Sequence, residues 1–146
     1  MGAGYYTGQP MDSVGVPCDP QQWSEESKRS VANDFPQESY QDKSYYCWRC
    51  RTPEVFTAAE QKHTFEVRKA NIAQQRILCR SCHEARVLLN REIIECRQKW
   101  IEDRLALVRD HGFLRRWLSI LETLPEYGES RDEANIVMLG RLLAAE

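Results

Sequence analysis

The stretch Cys47-Trp48-Arg49-Cys50 decides the fold, together with the matching stretch Cys79-Arg80-Ser81-Cys82 that follows 28 residues later. In each stretch two residues separate the cysteines, a spacing that lets both sulfur atoms reach one zinc ion at about 2.3 Å. Two such pairs at this separation are typical of a metal site. We therefore predict one structural Zn²⁺ bound by Cys47, Cys50, Cys79 and Cys82. Four thiolates would leave no coordination position open for a substrate.

The six cysteines in 146 residues also raise the alternative of a secreted, disulfide-linked domain. Residues 1–20 lack the basic start and apolar core of a secretory signal, and we place the chain in the reducing cytoplasm. We interpret Cys18 and Cys96 as free thiols, with Cys96 a core residue of a helix. A redox dithiol would need a βαβ context, which the sequence does not indicate. The sequence holds no run of about 18 apolar residues, so we expect no membrane span.

Composition and periodicity divide the chain into three parts. Residues 1–43 are polar and acidic and are predicted to be a flexible, disordered tail. Trp23 and Tyr40, with the adjacent Tyr45 and Tyr46, are candidates for docking onto the folded part or onto a partner. Residues 44–86 form the cysteine module, in which a capping box over 57–60 is predicted to begin a helix at about 58–68. Residues 84–146 have helical periodicity.

The C-terminal part predicts helices over 84–111, 113–124 and 131–145, with Gly112 as a C-terminal cap and a second capping box over 130–133. Apolar residues of the long first helix fall on two adjacent stripes. One stripe consists of Leu89, Ile93, Cys96, Trp100 and Leu107, and the other of Ile94, Ile101, Leu105 and Val108. So wide an apolar arc predicts more than one packing partner.

The order of these elements predicts the fold class. A cysteine knuckle, an intervening segment and a helix whose first turn carries the last two cysteines is the order found in a treble clef. Partial positive charge at the helix N-terminus favours thiolates there. We therefore predict a small α+β zinc-bound treble-clef or zinc-ribbon module, followed by an α-helical extension and preceded by a disordered tail.

Residues 44–86 resemble the zinc-ribbon family of the treble-clef type, and in particular a bacterial branch of it. The likeness rests on Cys47-x2-Cys50, on Phe56-Thr57-x-x-Glu60-Gln61, and on Arg76 shortly before Cys79-x2-Cys82. The resemblance implies one zinc held by the four cysteines. It implies no enzymatic activity.

The middle of the chain is basic although the net charge of the whole chain is −2. Residues 43–83 carry eight basic and three acidic side chains, whereas residues 1–42 carry two and seven. Phosphate contacts and base stacking would use such basic and aromatic groups. The candidate surface for nucleic acid or a partner consists of Tyr45, Trp48, Arg49, Arg51, Lys62, Arg68, Lys69, Arg76 and Arg80. An isoelectric point near 6.0 argues against tight nonspecific binding to nucleic acid.

We expect a non-catalytic zinc-binding protein whose structural site supports an interaction surface for an adaptor or scaffold role. The partner would be another protein, or a second copy bound through the helical region, and no membrane. A nucleic-acid-binding zinc module is the alternative. An HNH-type nuclease is a further hypothesis, with His63 and His83 as general base and metal ligand and Asn71 as the orienting residue. Lys62 argues against it, because the position before the first histidine is usually acidic or histidine in that family.

Overall fold

The computed structural model describes residues 5–6, 15–34 and 38–145. These residues divide into two compact units, one formed by residues up to 47 together with 51–77, the other by residues 48–50 together with those from 78 onward. Among the helices of the described residues, none combines the length and apolar character needed to cross a membrane.

The first unit is built from short elements. Its strands are β1 (Tyr5–Tyr6), β2 (Val16–Pro17), β3 (Ser39–Tyr40), β4 (Lys43–Tyr46) and β5 (Pro53–Phe56). Its helices are α1 (Glu25–Lys28), α2 (Val31–Asp34) and α3 (Ala58–Lys62), with a 3₁₀ turn at Pro20–Gln22 and a π-helical turn at His63–Val67. An antiparallel sheet has the order β1-β4-β5, and β2 pairs with β3 in a second antiparallel sheet.

Aromatic side chains form the core of this unit. Tyr45 on β4 and Phe56 on β5 are buried with Phe65, whose ring lies 6.1 Å from those of Tyr40 and Phe56. Trp23 is also buried, and its indole N–H donates to the Tyr40 hydroxyl at 2.9 Å. These rings supply most of the apolar surface that such a small unit buries.

The boundary of the predicted N-terminal tail needs correction. Residues 15–34 and 38–43 carry regular elements, and Trp23 and Tyr40 lie in the core. The polar composition of this segment hid the few aromatic residues that attach it to the rest of the unit. Residues 1–4, 7–14 and 35–37, on which the tail prediction also falls, lie outside the described residues.

The second unit is helical. Its elements are α4 (Arg80–Glu102), α5 (Arg104–Leu107), α6 (His111–Thr123), a 3₁₀ turn (Leu124–Tyr127) and α7 (Glu133–Ala144). Leu114 and Trp117 of α6 and Leu139 of α7 are almost fully buried, and they pack with Ile93 and Cys96 of α4 in one apolar cluster. Cys96 is thus a core residue, as the sequence predicted.

Three helix boundaries differ from the sequence prediction. The long helix ends at Glu102, because Asp103 leaves the helical region with φ −144° and ψ 54°. Gly112 does not end a helix but lies in the first turn of α6. The N-cap of α6 is Asp110, whose carboxylate accepts a hydrogen bond from the Phe113 amide. Near α7 the N-cap is Asp132, which accepts from the Asn135 amide at 3.3 Å, and not Ser130.

The predicted capping box of the first unit is confirmed. Thr57 and Glu60 form the predicted capping box at the start of α3, with hydrogen bonds of 3.2 and 3.0 Å in the two directions. Gly128 adopts φ 85° after the second 3₁₀ turn, so a glycine ends this helical segment in the left-handed conformation.

Candidate metal centre

The structure brings the four predicted cysteines together. The sulfur atoms of Cys47, Cys50, Cys79 and Cys82 all lie within 4.8 Å of one another, and those of Cys50 and Cys79 are 3.6 Å apart. Ligands about 2.3 Å from a tetrahedral zinc are separated by about 3.8 Å. The cluster therefore has the size of a four-thiolate zinc site. Three of the cysteines are buried and Cys50 is exposed.

Backbone hydrogen bonds close the first knuckle. The amide of Cys47 donates to the Thr52 carbonyl at 2.9 Å, and the Cys47 carbonyl accepts from the Arg51 amide at 2.9 Å. Arg51 adopts a left-handed conformation with φ 63°, which turns the chain back toward β5. The turn follows directly from the end of β4, so the β4–β5 hairpin positions Cys47.

The first turn of α4 holds the second pair. Cys79 is the N-cap residue, and Cys82 lies in the first helical turn. The Cys79 sulfur lies 3.3 Å from the Ser81 hydroxyl, and this hydrogen bond holds the pKa of the Cys79 thiol below its usual range. Both the hydrogen bond and the helix N-terminus favour the thiolate, which is the form that binds metal. The cysteine spacing alone does not predict this role of Ser81.

Arg49 supplies positive charge beside the thiolates. Its guanidinium lies 4.6 Å from the centre of the Tyr127 ring and 3.8 Å from the Glu126 carboxylate. Its pKa is raised first by Tyr127, and a hydrogen bond to the Cys82 sulfur contributes in the same direction. A zinc ion with four thiolates carries a net charge of about −2, so a cation at this position stabilises the loaded site.

Comparison with known families agrees with this geometry. Residues 41–88 match the model of a family described as a probable treble clef domain. Over this segment the chain is similar to that family. The match covers the predicted module of 44–86 with a few more residues at each end. No curated protein and no solved structure matches the chain.

The remaining motif residues of the treble clef domain have structural roles in the first unit. The Gln61 side chain is buried, and its amide nitrogen donates to the carbonyl oxygens of Phe56, at 2.9 Å, and Gln41. The Arg76 guanidinium lies 4.1 Å from the centre of the Phe56 ring and 3.4 Å from Glu60. These contacts fix the corner between β5 and α3. These motif residues therefore support the fold at this corner.

The structure places the predicted binding-surface residues in different environments. Tyr45 is buried, and burial raises its pKa to about 12. The prediction that its ring offers a stacking face is therefore wrong. Lys62 donates to the Pro17 carbonyl at 2.8 Å and pairs with Glu66 at 3.0 Å. The other members are half-buried, as are Trp48 and Arg76, or exposed, as are Arg49, Arg51, Arg68, Lys69 and Arg80.

Several of these exposed cations have partners within the chain. Lys69 donates to the Gln22 carbonyl, and Arg80 lies 3.6 Å from Glu84. Arg49 and Arg76 also have partners within the chain, as described above. Much of the positive charge on the predicted basic surface is therefore already paired. Such pairs are weak and exchangeable, but they lower the charge presented to a phosphate.

The residues of the nuclease hypothesis have ordinary local environments. His63 and His83 are both exposed on helical turns, and His83 Nδ1 lies 3.2 Å from the Arg86 guanidinium. The side-chain oxygen of Asn71 accepts from the Ala73 amide at 2.8 Å, as in a local turn. Within residues 15–34 and 38–145, the only group of three or more metal-type side chains close enough to share an ion is the cysteine quartet.

Proposed function

We propose that this chain is a non-catalytic zinc-binding protein in which the four-cysteine site stabilises a scaffold for protein interaction. The observation that carries the proposal is an apolar face on α4 that stays exposed while the opposite face fills the core. Ile94 and Ile101 are 66% and 77% exposed, whereas Ile93 and Cys96 are buried. Exposed apolar patches on a folded unit are typical of interaction sites.

The chemistry of the metal centre supports a structural role. Four thiolates saturate the tetrahedral coordination of zinc, so the ion has no position at which to activate water or polarise a substrate. A small domain with short strands and few buried side chains gains much of its folding free energy from such an ion. The zinc would therefore hold the domain together rather than react.

Affinity capture from the native host tests the interaction role. We expect the zinc-loaded wild-type chain to retain specific proteins that an Ile94→Glu variant loses, because a charge on the apolar face opposes its burial. Val67→Glu is the matched control, since Val67 is 65% exposed but lies in the first unit. Capture that is identical for all three chains would contradict the proposal.

Two assays on purified protein decide between this role and the alternatives. A salt-dependent mobility shift with short oligonucleotides that is weakened by Arg51→Ala and Arg68→Ala would favour nucleic-acid binding through the basic residues. Cleavage of plasmid with Mg²⁺ or Mn²⁺ that requires His63 would favour the nuclease hypothesis. We expect neither result.

A further inference from the structure

The exposed face of α4 has a regular pattern. Val87, Ile94 and Ile101 recur every seven residues and are 43%, 66% and 77% exposed, and we call these three residues the α4 stripe. Seven residues correspond to nearly two helical turns, so the α4 stripe runs along one side of the helix for about 21 Å. Leu88, which follows Val87 on α4, is also exposed.

The second unit cannot bury the α4 stripe by turning the helix. Ile93 and Cys96 face the core with Leu114 and Trp117, and Trp100 packs against Trp117 with ring centres 5.7 Å apart. Rotation of α4 would expose this larger apolar surface. Ile94 and Ile101 of the α4 stripe also belong to the second apolar stripe of the sequence, and packing within the second unit leaves both exposed.

The spacing of the α4 stripe is self-complementary. If a second α4 lies antiparallel with the two-fold axis at Ile94, then Ile94 meets its own copy, and Val87 lies opposite Ile101 of the second copy on both sides of the axis. Each layer then pairs β-branched side chains of similar size. Two-fold symmetry of this kind is the commonest arrangement of protein homodimers.

The charges beside the stripe favour the same arrangement. Arg91 and Glu95 are exposed on one edge of the stripe, and neither forms an ion pair within the described residues. In an antiparallel pair this edge faces the same edge of the second copy. Arg91 then lies opposite Glu95 of the second copy, offset by about 3 Å along the axis, and the pair occurs twice. In a parallel pair, Arg91 would instead face the opposite edge of the second copy, which carries Arg97. Arg97 has the same charge as Arg91 and already pairs with Asp132 at 3.3 Å.

We propose that α4 binds a second copy of this chain through an antiparallel pairing of the α4 stripe, with Arg91 and Glu95 as reciprocal ion pairs. The inference rests on the proposed interaction function and names the partner of its apolar face. Three apolar layers form a small interface, so the dimer is concentration-dependent. Ile94 lies at the centre, where truncation or charge has the largest effect.

Sedimentation velocity of the full zinc-loaded chain over a wide concentration range tests the pairing. We expect a monomer–dimer equilibrium in the wild type, and an increase in its dissociation constant of at least about 30-fold for Ile94→Glu. Val67→Glu should leave the dissociation constant unchanged. A wild type that stays monomeric throughout, or equal weakening by both variants, would overturn the proposal. Circular dichroism and zinc content verify that each variant is folded.

Charge reversal tests the antiparallel direction. Arg91→Glu and Glu95→Arg should each weaken the dimer, because each places like charges opposite one another. The double variant R91E/E95R should restore most of the wild-type affinity, since it exchanges the two charges of every pair. An equimolar mixture of the two single variants should form the heterodimer preferentially. A double variant as weak as its parents would exclude this register.

The dimer and the wider interaction role can fail independently. If the wild type is monomeric and capture from the host still depends on Ile94, then the face binds a different protein: the dimer proposal fails and the proposed function stands. If the dimer forms and depends on Ile94 but no other protein is captured, the pairing stands and the proposed adaptor role fails.

Discussion

Arg51 adopts a backbone conformation that residues other than glycine seldom take, with φ 63° in the first knuckle. An L-residue in the left-handed region costs about 1 kcal/mol or more relative to its preferred conformations. We expect Arg51→Gly to stabilise the folded domain by about 0.5–1 kcal/mol, measured by urea unfolding with zinc present. Arg68→Gly is the matched control, because Arg68 has φ −79° and its replacement should destabilise the domain by a similar amount. Equal effects from the two substitutions would contradict this account.

Gln61 illustrates a residue whose role could not be predicted from hydrophobicity. A polar side chain at this position looks like a poor packing partner for Phe56, yet it is 1% exposed and bonds two backbone carbonyls. The family motif contains it, but periodicity alone gives no reason for it. Its role depends on the Phe56 carbonyl at the β5–α3 corner and on the Gln41 carbonyl between β3 and β4, and the local sequence does not show that the fold brings these groups together.

Replacement of Gln61 should therefore be costly. Gln61→Leu keeps the approximate size but removes the donor to the Phe56 carbonyl, whose hydrogen bond is buried, and we expect a loss of about 1–3 kcal/mol in the free energy of unfolding. Gln74→Leu is the control, since Gln74 is exposed and should change stability by less than about 0.5 kcal/mol. Chemical denaturation of both variants measures the difference. Similar stability of the two variants would show that the Gln61 hydrogen bonds contribute little.

At the scale of elements, periodicity predicted the existence of the helices better than their ends. The apolar repeat places α4, α6 and α7 correctly because it reflects the face that each helix buries. The ends depend on single side chains: Asp110 and Asp132 supply the caps, while Gly112 and Ser130 were the more conspicuous signals in the sequence. The end of α4 at Asp103 could not be predicted in this way, because no glycine or proline lies at this position.

The Asp132 cap has a pH dependence that can be measured. Its pKa lies below the ordinary value of 3.8, first because of the hydrogen bond from the Asn135 side chain and also because of Arg97. Because the pKa is lower in the folded state, the ionised carboxylate stabilises the fold fully at a pH above the unfolded-state pKa. This stabilisation is lost as the pH falls through the lower pKa of the folded state. We expect Asp132→Ala to lower the unfolding free energy by about 1 kcal/mol at pH 7 and by less at pH 3. Ser130→Ala should have little effect at either pH. A pH-independent difference would show that the carboxylate charge is irrelevant.

At the scale of the whole chain, the metal centre was predictable and the interaction surface was only partly so. The cysteine spacing predicts the geometry of the site directly, because two residues between ligands let both sulfur atoms reach one ion. The candidate surface was predicted from a local run of basic and aromatic residues, and the structure shows Tyr45 inside the core and Lys62 bonded to Pro17 and Glu66. Burial and pairing depend on distant residues, so a local count of charges does not predict them.

Replacing a predicted zinc ligand and replacing a cysteine outside the site should have different effects on zinc binding. We expect Cys79→Ser to remove zinc, because a serine hydroxyl is a poor zinc ligand and three thiolates remain. Cys96→Ser should keep one zinc per chain, although it destabilises the second unit by about 1–2 kcal/mol by placing a hydroxyl in an apolar core. Native mass spectrometry before and after chelation, with circular dichroism on the same samples, measures both properties. Zinc should also leave the wild type in acid, as protons compete for the thiolates. If Cys79→Ser retained full zinc and a native spectrum, the four-cysteine site would be disproved.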